Sequence, residues 1–214
     1  MPSLTPPVVP AGRLGRSEQP SLTVPGGLRL RPWRPTDAPA VVAAFTDPAI
    51  QQWHVRRADS EEEAGEWIAR WRQAWRSETG AHWAIVRAGD DTVRGRVALR
   101  TMSLVDGQAE CAYWTTASAR GAGVAPRAVT ALAAWALEEV GFHRLELAHS
   151  VANPASCRVA LKAGFAHEST RRHALLHPDG WHDMHVHVLI GGDGPAPGTA
   201  PADPHPRPRP RPAD

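Results

Sequence analysis

The chain has 214 residues, a formal net charge of +2 and two cysteines, Cys111 and Cys157. This length fits one domain with appended segments, and the small net charge argues against nucleic acid or an anionic membrane as a partner. Two cysteines without metal-type spacing argue against a disulfide framework. Because the first 27 residues lack an apolar signal core and no apolar run is long enough to span a bilayer, we expect a cytoplasmic protein.

Both ends of the chain are rich in proline. Residues 1–27 hold six prolines and residues 191–214 hold eight. Such segments lack the apolar residues that offset the entropy cost of ordering a chain. We therefore predict disordered segments at 1–27 and 191–214 around one folded domain at 28–190. The Pro/Arg-rich C-terminal segment is predicted to be an extended, solvated tail, with a ligand for a proline-recognising domain as the alternative.

The folded part alternates strands and helices. The predicted elements in chain order are a strand at 28–33, helices at 36–45 and 60–75, strands at 82–87, 92–104 and 109–115, a helix at 126–140, a strand around 145–147, a helix at 153–164, and a final stretch from 165 whose last strand is 184–190. Ser60 with Glu63 forms a capping-box pattern, and Asp106-Gly107 indicates a hairpin. This order predicts a mixed α/β domain with a central sheet.

The second predicted helix carries an aromatic stripe. Ala64, Trp67, Ile68, Trp71 and Trp75 fall on one of its faces at helical spacing. Large apolar side chains in this arrangement are more often core than ligand contacts. We interpret the stripe as core, with the lining of a substrate pocket as the alternative.

A glycine-rich loop runs from Arg120 to Ala125, directly before the helix predicted from Pro126. Backbone N–H groups exposed by glycines at a helix N-terminus bind phosphate oxygens without help from side chains. Pro126 stands where a dinucleotide fingerprint needs a third glycine or alanine, and no Gly-Lys-Ser/Thr follows the loop. The loop therefore predicts a phosphate-bearing cofactor of another kind.

Three segments then point to one family. Arg120-x-x-Gly123-x-Ala125 resembles the Gln/Arg-x-x-Gly-x-Gly/Ala motif of the GNAT superfamily of acetyl-CoA-dependent N-acetyltransferases. Residues 153–165 are similar to the Asn-x-x-Ser-x-x-Val…Lys-x-Gly-Phe segment of its branch acting on ribosomal-protein N-termini, the RimJ/RimL-like branch. Residues 110–114 are similar to the Glu-Ile-Gly-Tyr-Trp strand of that branch. The resemblance covers 28–190 and implies the GNAT fold, a mixed central sheet with splayed parallel strands, flanked by helices.

The resemblance implies acetyl-CoA as co-substrate. The residues that would hold its pyrophosphate through backbone amides are Arg120, Gly121, Ala122, Gly123, Val124 and Ala125. Arg120 or Arg127 would pair with phosphate. The strand end at Trp114 and Thr115 would bond the pantetheine amides. Asn153 has two interpretations, a helix cap or a pantetheine contact.

Acetyl transfer also needs groups that move protons. Many superfamily members use a tyrosine in the short-helix segment to protonate the leaving thiolate, but the single tyrosine here, Tyr113, lies in an earlier strand. By resemblance Ser156 is the alternative acid, and a hydroxyl that supports the helix start is its other interpretation. Glu110 is the first choice for a base, against an ordinary exposed carboxylate. An N–H near Thr115 would polarise the carbonyl.

Histidines occur in two notable places. His54 follows Trp53 in a region that shapes the acceptor pocket of the family, although a buried tryptophan beside an incidental histidine explains it equally well. The segment 182–187 resembles a metal cluster, because Asp183, His185 and His187 would share one strand face. Alternation along one strand does not by itself place three ligands around one ion, so we predict no metal.

The sequence as a whole predicts an N-acetyltransferase that moves acetyl from acetyl-CoA to a primary amine. The predicted acceptor is the α-amine of a protein or peptide N-terminus, since that amine is partly neutral near pH 7 and needs little help from a base. A small-molecule amine, such as an aminoglycoside or polyamine, is the alternative among enzymes. The alternative that is not an enzyme is a non-catalytic module that senses acyl-CoA. The sequence leaves open whether the protein forms a homodimer.

Overall fold

A computed structural model describes residues 4–192. Its eight strands are β1 (Leu22–Val24), β2 (Leu28–Pro32), β3 (Ala81–Arg87), β4 (Val93–Ser103), β5 (Gln108–Thr115), β6 (Arg144–Ser150), β7 (Ala166–His177) and β8 (Gly180–Ile190). Its helices are α1 (Ala38–Phe45), α2 (Pro48–Gln51), α3 (Glu61–Arg76), α4 (Val124–Ala134) and α5 (Pro154–Lys162). A π-helical turn, Trp135–Val140, continues α4. The mixed α/β fold predicted from the sequence is confirmed.

One sheet contains all the strands, in the order β1-β2-β3-β4-β5-β6-β8-β7. Every neighbouring pair is antiparallel except β5 and β6, which run parallel. These two strands pair only where residues 108–110 lie beside residues 144–146. Beyond that point β5 pairs with β4 alone, up to Thr115. The two central strands therefore separate and leave a gap in the sheet, as the resemblance implies.

Helices cover both faces of the sheet over two apolar cores. One core packs α4 and α5 against inward side chains such as Leu99, Leu145 and Leu147. The other packs α1 and α3 against the opposite face, around Trp33 and Trp114. Because side chains alternate along a strand, β5 sends neighbouring residues into different cores. Strand β5 therefore contributes side chains to both faces of the sheet beside the gap.

Local chemistry sets the ends of the helices. At the start of α3, Ser60 Oγ accepts the Glu63 N–H at 3.2 Å, as the capping-box pattern predicts. The Glu63 carboxylate, however, accepts the N–H of Asp59 rather than that of Ser60. After the π-helical turn that continues α4, Gly141 adopts a φ of 96°, a left-handed conformation that suits glycine and ends the helix.

The structure differs from the predicted disorder of the N-terminal segment. Residues 4–27 lie against the domain, and 22–24 form the edge strand β1, antiparallel to β2. Val9 and Leu14 are 0% and 2% exposed and belong to the same core as the buried residues of α4. The proline count suggested too few apolar residues to order this segment. Burial of Val9, Leu14 and Val24 supplies that contribution.

Hydrogen bonds from distant residues hold this N-terminal segment in place. The Glu78 carboxylate accepts backbone N–H groups of Gly12, Leu14 and Gly15 at 2.6, 2.7 and 3.1 Å. The indole N–H groups of Trp75 and Trp83 donate to backbone carbonyls of residues 17 and 20. Glu78 follows α3 by two residues, so this contact depends on tertiary structure. The predicted tail falls largely on residues 193–214, outside the described part of the chain.

Candidate active site

The gap between β5 and β6 opens into a cleft of about 910 Å³. The glycine loop and α5 line one end, and the α1–α2 region, α3 and β7 line the other. Of the residues predicted to bind the cofactor, the cleft is lined by Trp114, Thr115, Arg120, Gly121, Gly123, Val124, Ala125 and Asn153. The fold thus brings the two predicted motifs, 120–125 and 153–156, to a single site.

Two glycines shape the loop before α4. Gly121 and Gly123 have φ values of 76° and 69°, in the left-handed region that L residues with a Cβ adopt at a cost. A Cβ at either position would meet no atom within 4 Å, so the space in front of the loop is open. Gly123 directly precedes the first residue of α4. The unpaired N–H groups of this helix start therefore lie in the cleft.

The two arginines expected to pair with phosphate have other partners. The Arg120 guanidinium bonds the Asp47 carboxylate at 2.6 Å, which ties the loop to the start of α2. Arg127 donates to the carbonyls of Gly123 and Ala122 at 3.1 and 2.8 Å. Arg127 therefore takes up carbonyl oxygens of the loop. We interpret both arginines as supports of the loop conformation.

Asn153 and Ser156 serve different purposes at the start of α5. Asn153 Oδ1 accepts the Ser156 N–H at 3.0 Å, so the asparagine is the helix cap. The Ser156 hydroxyl is not needed for that cap. Instead its Oγ accepts a hydrogen bond of 2.9 Å from the Tyr113 hydroxyl. Burial raises the pKa of Tyr113 to about 12, so the phenol stays protonated.

Sequence reasoning set Tyr113 aside because it lies outside the short-helix segment. The structure places it across the cleft from α5, because β5 and β6 have already separated at this level. Tyr113 and Ser156 both line the cleft and form one hydroxyl pair. Pattern alone carries no signal for this contact, since the two residues are 43 positions apart.

The predicted base, Glu110, lies at the paired base of the gap, where β5 still contacts β6. Its carboxylate bonds the Arg100 guanidinium at 2.6 Å, and it is not among the residues that line the cleft. The side chain of Trp114 is 3% exposed and packs in the core under α1 and α3. Only backbone atoms of Trp114 are therefore available for the pantetheine contact that the resemblance implies.

The other end of the cleft is aromatic and basic. Trp67 and Trp71 of the predicted stripe line it, whereas Ala64, Ile68 and Trp75 are buried. The core interpretation is confirmed for the buried residues, and the lining of a substrate pocket stays a prediction for Trp67 and Trp71.

His54 also lines this end of the cleft. Its Nδ1 lies 2.7 Å from the Ile50 carbonyl, which makes Nδ1 the protonated nitrogen and Nε2 the acceptor. Burial lowers the pKa of His54, so the imidazole is neutral near pH 7. The histidine that the sequence left open therefore lines the cleft as a neutral imidazole.

The charged side chains that line the cleft in the described residues are all positive. Its basic lining residues are Arg56, Arg70, Arg96, Arg100, Arg120, Arg158 and Lys162, and no aspartate or glutamate lines it within residues 4–192. Arg56, Arg158 and Lys162 have no carboxylate partner in that part of the chain. A cleft of this kind favours an anionic ligand.

The chain belongs to the acetyltransferase (GNAT) domain family, whose profile matches residues 27–166. Two curated proteins of Bacillus subtilis (strain 168) are similar to it. "Putative ribosomal N-acetyltransferase YdaF" is 26% identical over 123 residues, and "Probable N-acetyltransferase YjcK" is 27% identical over 129 residues. These matches cover 58% and 59% of this chain and 66% and 70% of the two relatives. The chain thus spans about two thirds of their length.

Solved structures share the fold. The ribosomal-protein-S5-alanine acetyltransferase of Vibrio fischeri superposes with a TM-score of 0.74 at 18% identity, covering 82% of this chain and 98% of that one. RimL, named a ribosomal L7/L12 alpha-N-protein acetyltransferase and solved with coenzyme A, gives 0.75 at 19% identity, covering 80% and 98%. The predicted GNAT resemblance is confirmed, and the names of these relatives support its ribosomal-protein branch.

No helix within residues 4–192 has the length and apolar character needed to cross a membrane. The cytoplasmic location and the homodimer stay predictions.

Proposed function

We propose that this protein is an N-acetyltransferase that moves an acetyl group from acetyl-CoA to the α-amine of a protein or peptide N-terminus. The observation that carries the proposal is the gap between β5 and β6, which joins the glycine loop to the hydroxyl pair of Tyr113 and Ser156 in one cleft. A phosphate-binding helix start, an open strand edge and a proton donor are the parts that thioester transfer requires.

Acetyl-CoA would bind along the α4–α5 side of the cleft. Its pyrophosphate would accept N–H groups of residues 121–125 at the start of α4, where the helix dipole favours negative charge. Arg158 and Lys162 on α5 are cations without carboxylate partners in the described residues, and they suit the remaining phosphate. The unpaired edge of β5 beyond residue 110 would bond the pantetheine amides as a neighbouring strand.

In the proposed reaction the amine nitrogen attacks the thioester carbonyl carbon, and the C–S bond then breaks to release CoA thiolate. An N–H near Thr115 would stabilise the oxyanion. The thiolate would take its proton from the Ser156 hydroxyl. Because Tyr113 donates to Ser156 Oγ, the proton of Ser156 is itself free to point at the sulfur, and the phenol can replace it. Solvent water would then return a proton to the Tyr113 phenolate.

The charge of the cleft supports a peptide N-terminus over a polyamine or an aminoglycoside. Both small-molecule classes are polycations, and the lining of the cleft is basic without an acidic residue in the described chain. Because like charges repel, a basic lining disfavours the binding of a polycation. A peptide brings one amine, together with carbonyl groups and, in acidic sequences, carboxylates that the arginines can bind.

The acceptor amine must lose a proton during transfer. An α-amine has a pKa of about 7.7–8.0, so a useful fraction is neutral near pH 7. We propose that the neutral imidazole of His54 takes up the proton in the cleft. Glu110 remains the alternative base. Its ion pair with Arg100 makes it a weaker candidate for proton transfer than His54, because the carboxylate already has a partner.

Release of CoA thiol from acetyl-CoA tests the function, with acceptors pooled by class. The pools are peptides with acidic, neutral and basic N-terminal sequences, polyamines, and aminoglycosides. We expect turnover with peptides, highest for acidic sequences and reduced by salt, because screening weakens the attraction. Turnover only with polyamines or aminoglycosides would contradict the acceptor class. Acetyl-CoA binding without turnover on any pool would favour a sensing module, and no binding would overturn the proposal.

A further inference from the structure

Three histidines and one cysteine meet on the α5 face of the sheet. His149 lies near the end of β6, His185 and His187 lie on β8, and Cys157 lies in the first turn of α5. One potential ligand atom of each residue lies within 4.8 Å of the corresponding atoms of the other three. We call these four residues the His3Cys cluster. None of them has a part in the proposed acetyl transfer.

Strand pairing explains how the cluster forms. In the antiparallel register of β6 and β8, His149 lies opposite His185, and Leu147 lies opposite His187. Residues two apart on a strand share a face, so His185 and His187 point the same way as their partners on β6. Helix α5 packs on that face and supplies Cys157. The sequence showed two of these residues as neighbours, but not His149 or Cys157.

Asp183, the third residue of the strand pattern in the sequence, is not part of the cluster. Its carboxylate accepts the backbone N–H of His173 at 2.8 Å, across the β7–β8 hairpin. Asp183, His185 and His187, which the sequence placed on one strand face without predicting a metal, therefore do not form the cluster. The two histidines of the trio are joined by residues from two other elements.

The orientation of His149 suits a metal ligand. Its Nδ1 lies 2.8 Å from the Ser150 carbonyl, which accepts the N–H and leaves Nε2 with a lone pair. That Nε2 is buried and has no hydrogen-bond partner within the described residues. Histidines that bind metals typically donate their second nitrogen to a carbonyl or carboxylate in this manner. His149 is 5% exposed, so water does not readily satisfy the lone pair.

Cys157 places a sulfur ligand atom beside the imidazole of His187. Cys157 Sγ lies 3.8 Å from His187 Nε2, and His187 is 1% exposed. A buried imidazole in contact with a thiol offers the nitrogen and sulfur ligands that zinc takes in proteins.

We propose that His149, Cys157, His185 and His187 bind one zinc ion with four protein ligands. Zinc takes imidazole nitrogens at about 2.0–2.1 Å and thiolate at about 2.3 Å in a tetrahedron, so its ligand atoms lie roughly 3.3–3.6 Å apart. The ligand atoms of the cluster lie within 4.8 Å of one another, so side-chain rotations that close the longest separation by roughly 1.2–1.5 Å would bring them to that spacing. With all four positions taken by the protein, the ion is structural and ties α5 to β6 and β8.

Zinc binding can be measured on the untagged full-length protein. We expect one zinc ion per chain by elemental analysis after expression in medium that contains zinc, copper and nickel. Cobalt titration should give the charge-transfer absorption of a thiolate–cobalt bond together with the visible bands of a tetrahedral site. Zinc should also raise the melting temperature, since an ion that binds only the folded state stabilises it.

Two variants and one control separate this site from adventitious binding. Cys157→Ser should abolish the thiolate–cobalt absorption, and His185→Gln should weaken zinc binding about tenfold or more, as even the loss of a supporting partner costs about 10–100-fold. Cys111→Ala removes the other thiol, which is buried in β5 and is not one of the four cluster residues, and should bind zinc unchanged. Circular dichroism checks that each variant folds.

Three results would overturn the proposal. The first is substoichiometric zinc with no cobalt spectrum in the folded wild type. The second is equal zinc affinity in the wild type and in Cys157→Ser. The third is stoichiometric copper or nickel in place of zinc. Because none of these readouts uses acetyl transfer, they are independent of the proposed activity.

Discussion

The Tyr113 hydroxyl on β5 donates a hydrogen bond of 2.9 Å across the cleft to Ser156 Oγ on α5. The same serine does not cap its own helix, because Asn153 does so through Oδ1. This division of work separates a catalytic role for Ser156 from a purely structural one. The two roles can therefore be distinguished by mutation.

Ser156→Ala is expected to lower the turnover number by about 10²-fold or more, since it removes the proposed proton donor to the thiolate. The melting temperature should change little, because the Asn153 cap remains. Tyr113→Phe should lower turnover less, as Ser156 keeps its own hydroxyl. Steady-state kinetics and thermal melts of both variants provide the check. Unchanged turnover with a marked loss of stability in Ser156→Ala would show a structural role only.

Gly123→Glu is expected to abolish acetyl-CoA binding while the fold persists. The new side chain would enter the open space before the loop and place a carboxylate where the pyrophosphate should lie. Gly123→Ala shares the backbone strain of a φ of 69°, about 1–2 kcal/mol, without the charge. Calorimetric titration should show a much smaller loss of affinity for Ala than for Glu. Equal affinity of Gly123→Glu and the wild type would refute the loop assignment.

His54→Gln is expected to lower turnover on peptides by about 10–100-fold, and Glu110→Gln by much less, if the imidazole is the base. Protonation of the acceptor amine should lower activity in all three proteins alike as the pH falls. Because burial lowers the pKa of His54, the ratio of wild-type to His54→Gln activity should persist below pH 6.5 and shrink only at more acidic values. Profiles of kcat/KM against pH for the wild type and both variants test this. A larger loss in Glu110→Gln would return the role to the carboxylate, as the sequence predicts.

Glu78→Gln is expected to destabilise the protein by about 1–3 kcal/mol, because a neutral amide accepts less strongly from three backbone N–H groups. Residues 4–27 should then become sensitive to limited proteolysis. Glu138→Gln, an exposed carboxylate with no ion pair in the described chain, is the matched control. Urea unfolding gives the free energies. Rapid cleavage of residues 4–27 in the folded wild type would contradict the observed packing.

Acid should destabilise the protein through His82. Burial, followed by the charges of Arg96 and Arg100, lowers the pKa of His82 well below its usual value, and His82 Nδ1 accepts a hydrogen bond of 2.6 Å from Arg96. Below about pH 6.5 the unfolded chain binds this proton and the native state does not, so stability falls by up to about 1.4 kcal/mol per pH unit.

Urea unfolding at several pH values between 7 and 5 measures this effect. His82→Gln removes the titrating group and should reduce the slope of unfolding free energy against pH. His173→Gln, on the exposed strand β7, should leave it unchanged. The same slope in His82→Gln and the wild type would assign the acid sensitivity to other groups.

Features that depend on neighbours in the chain were predictable from sequence. The Ser60 and Asn153 caps, the Gly141 helix end and the Asp106-Gly107 hairpin all follow from short-range hydrogen bonds and backbone preferences. These interactions need no knowledge of the fold, so the patterns indicated them correctly. The proline count failed for residues 4–27 because it ignores what the segment packs against.

The sequence by itself determined the family, the glycine loop, the capped short helix and the order of the elements other than β1 and α2, because each depends on residues close together in the chain. The tertiary structure alone decided that Tyr113 reaches Ser156, that the cleft lacks acidic side chains in the described chain, and that His149 and Cys157 join His185 and His187. Those contacts join positions far apart in the chain. They arise from strand register and helix packing, which local patterns do not encode.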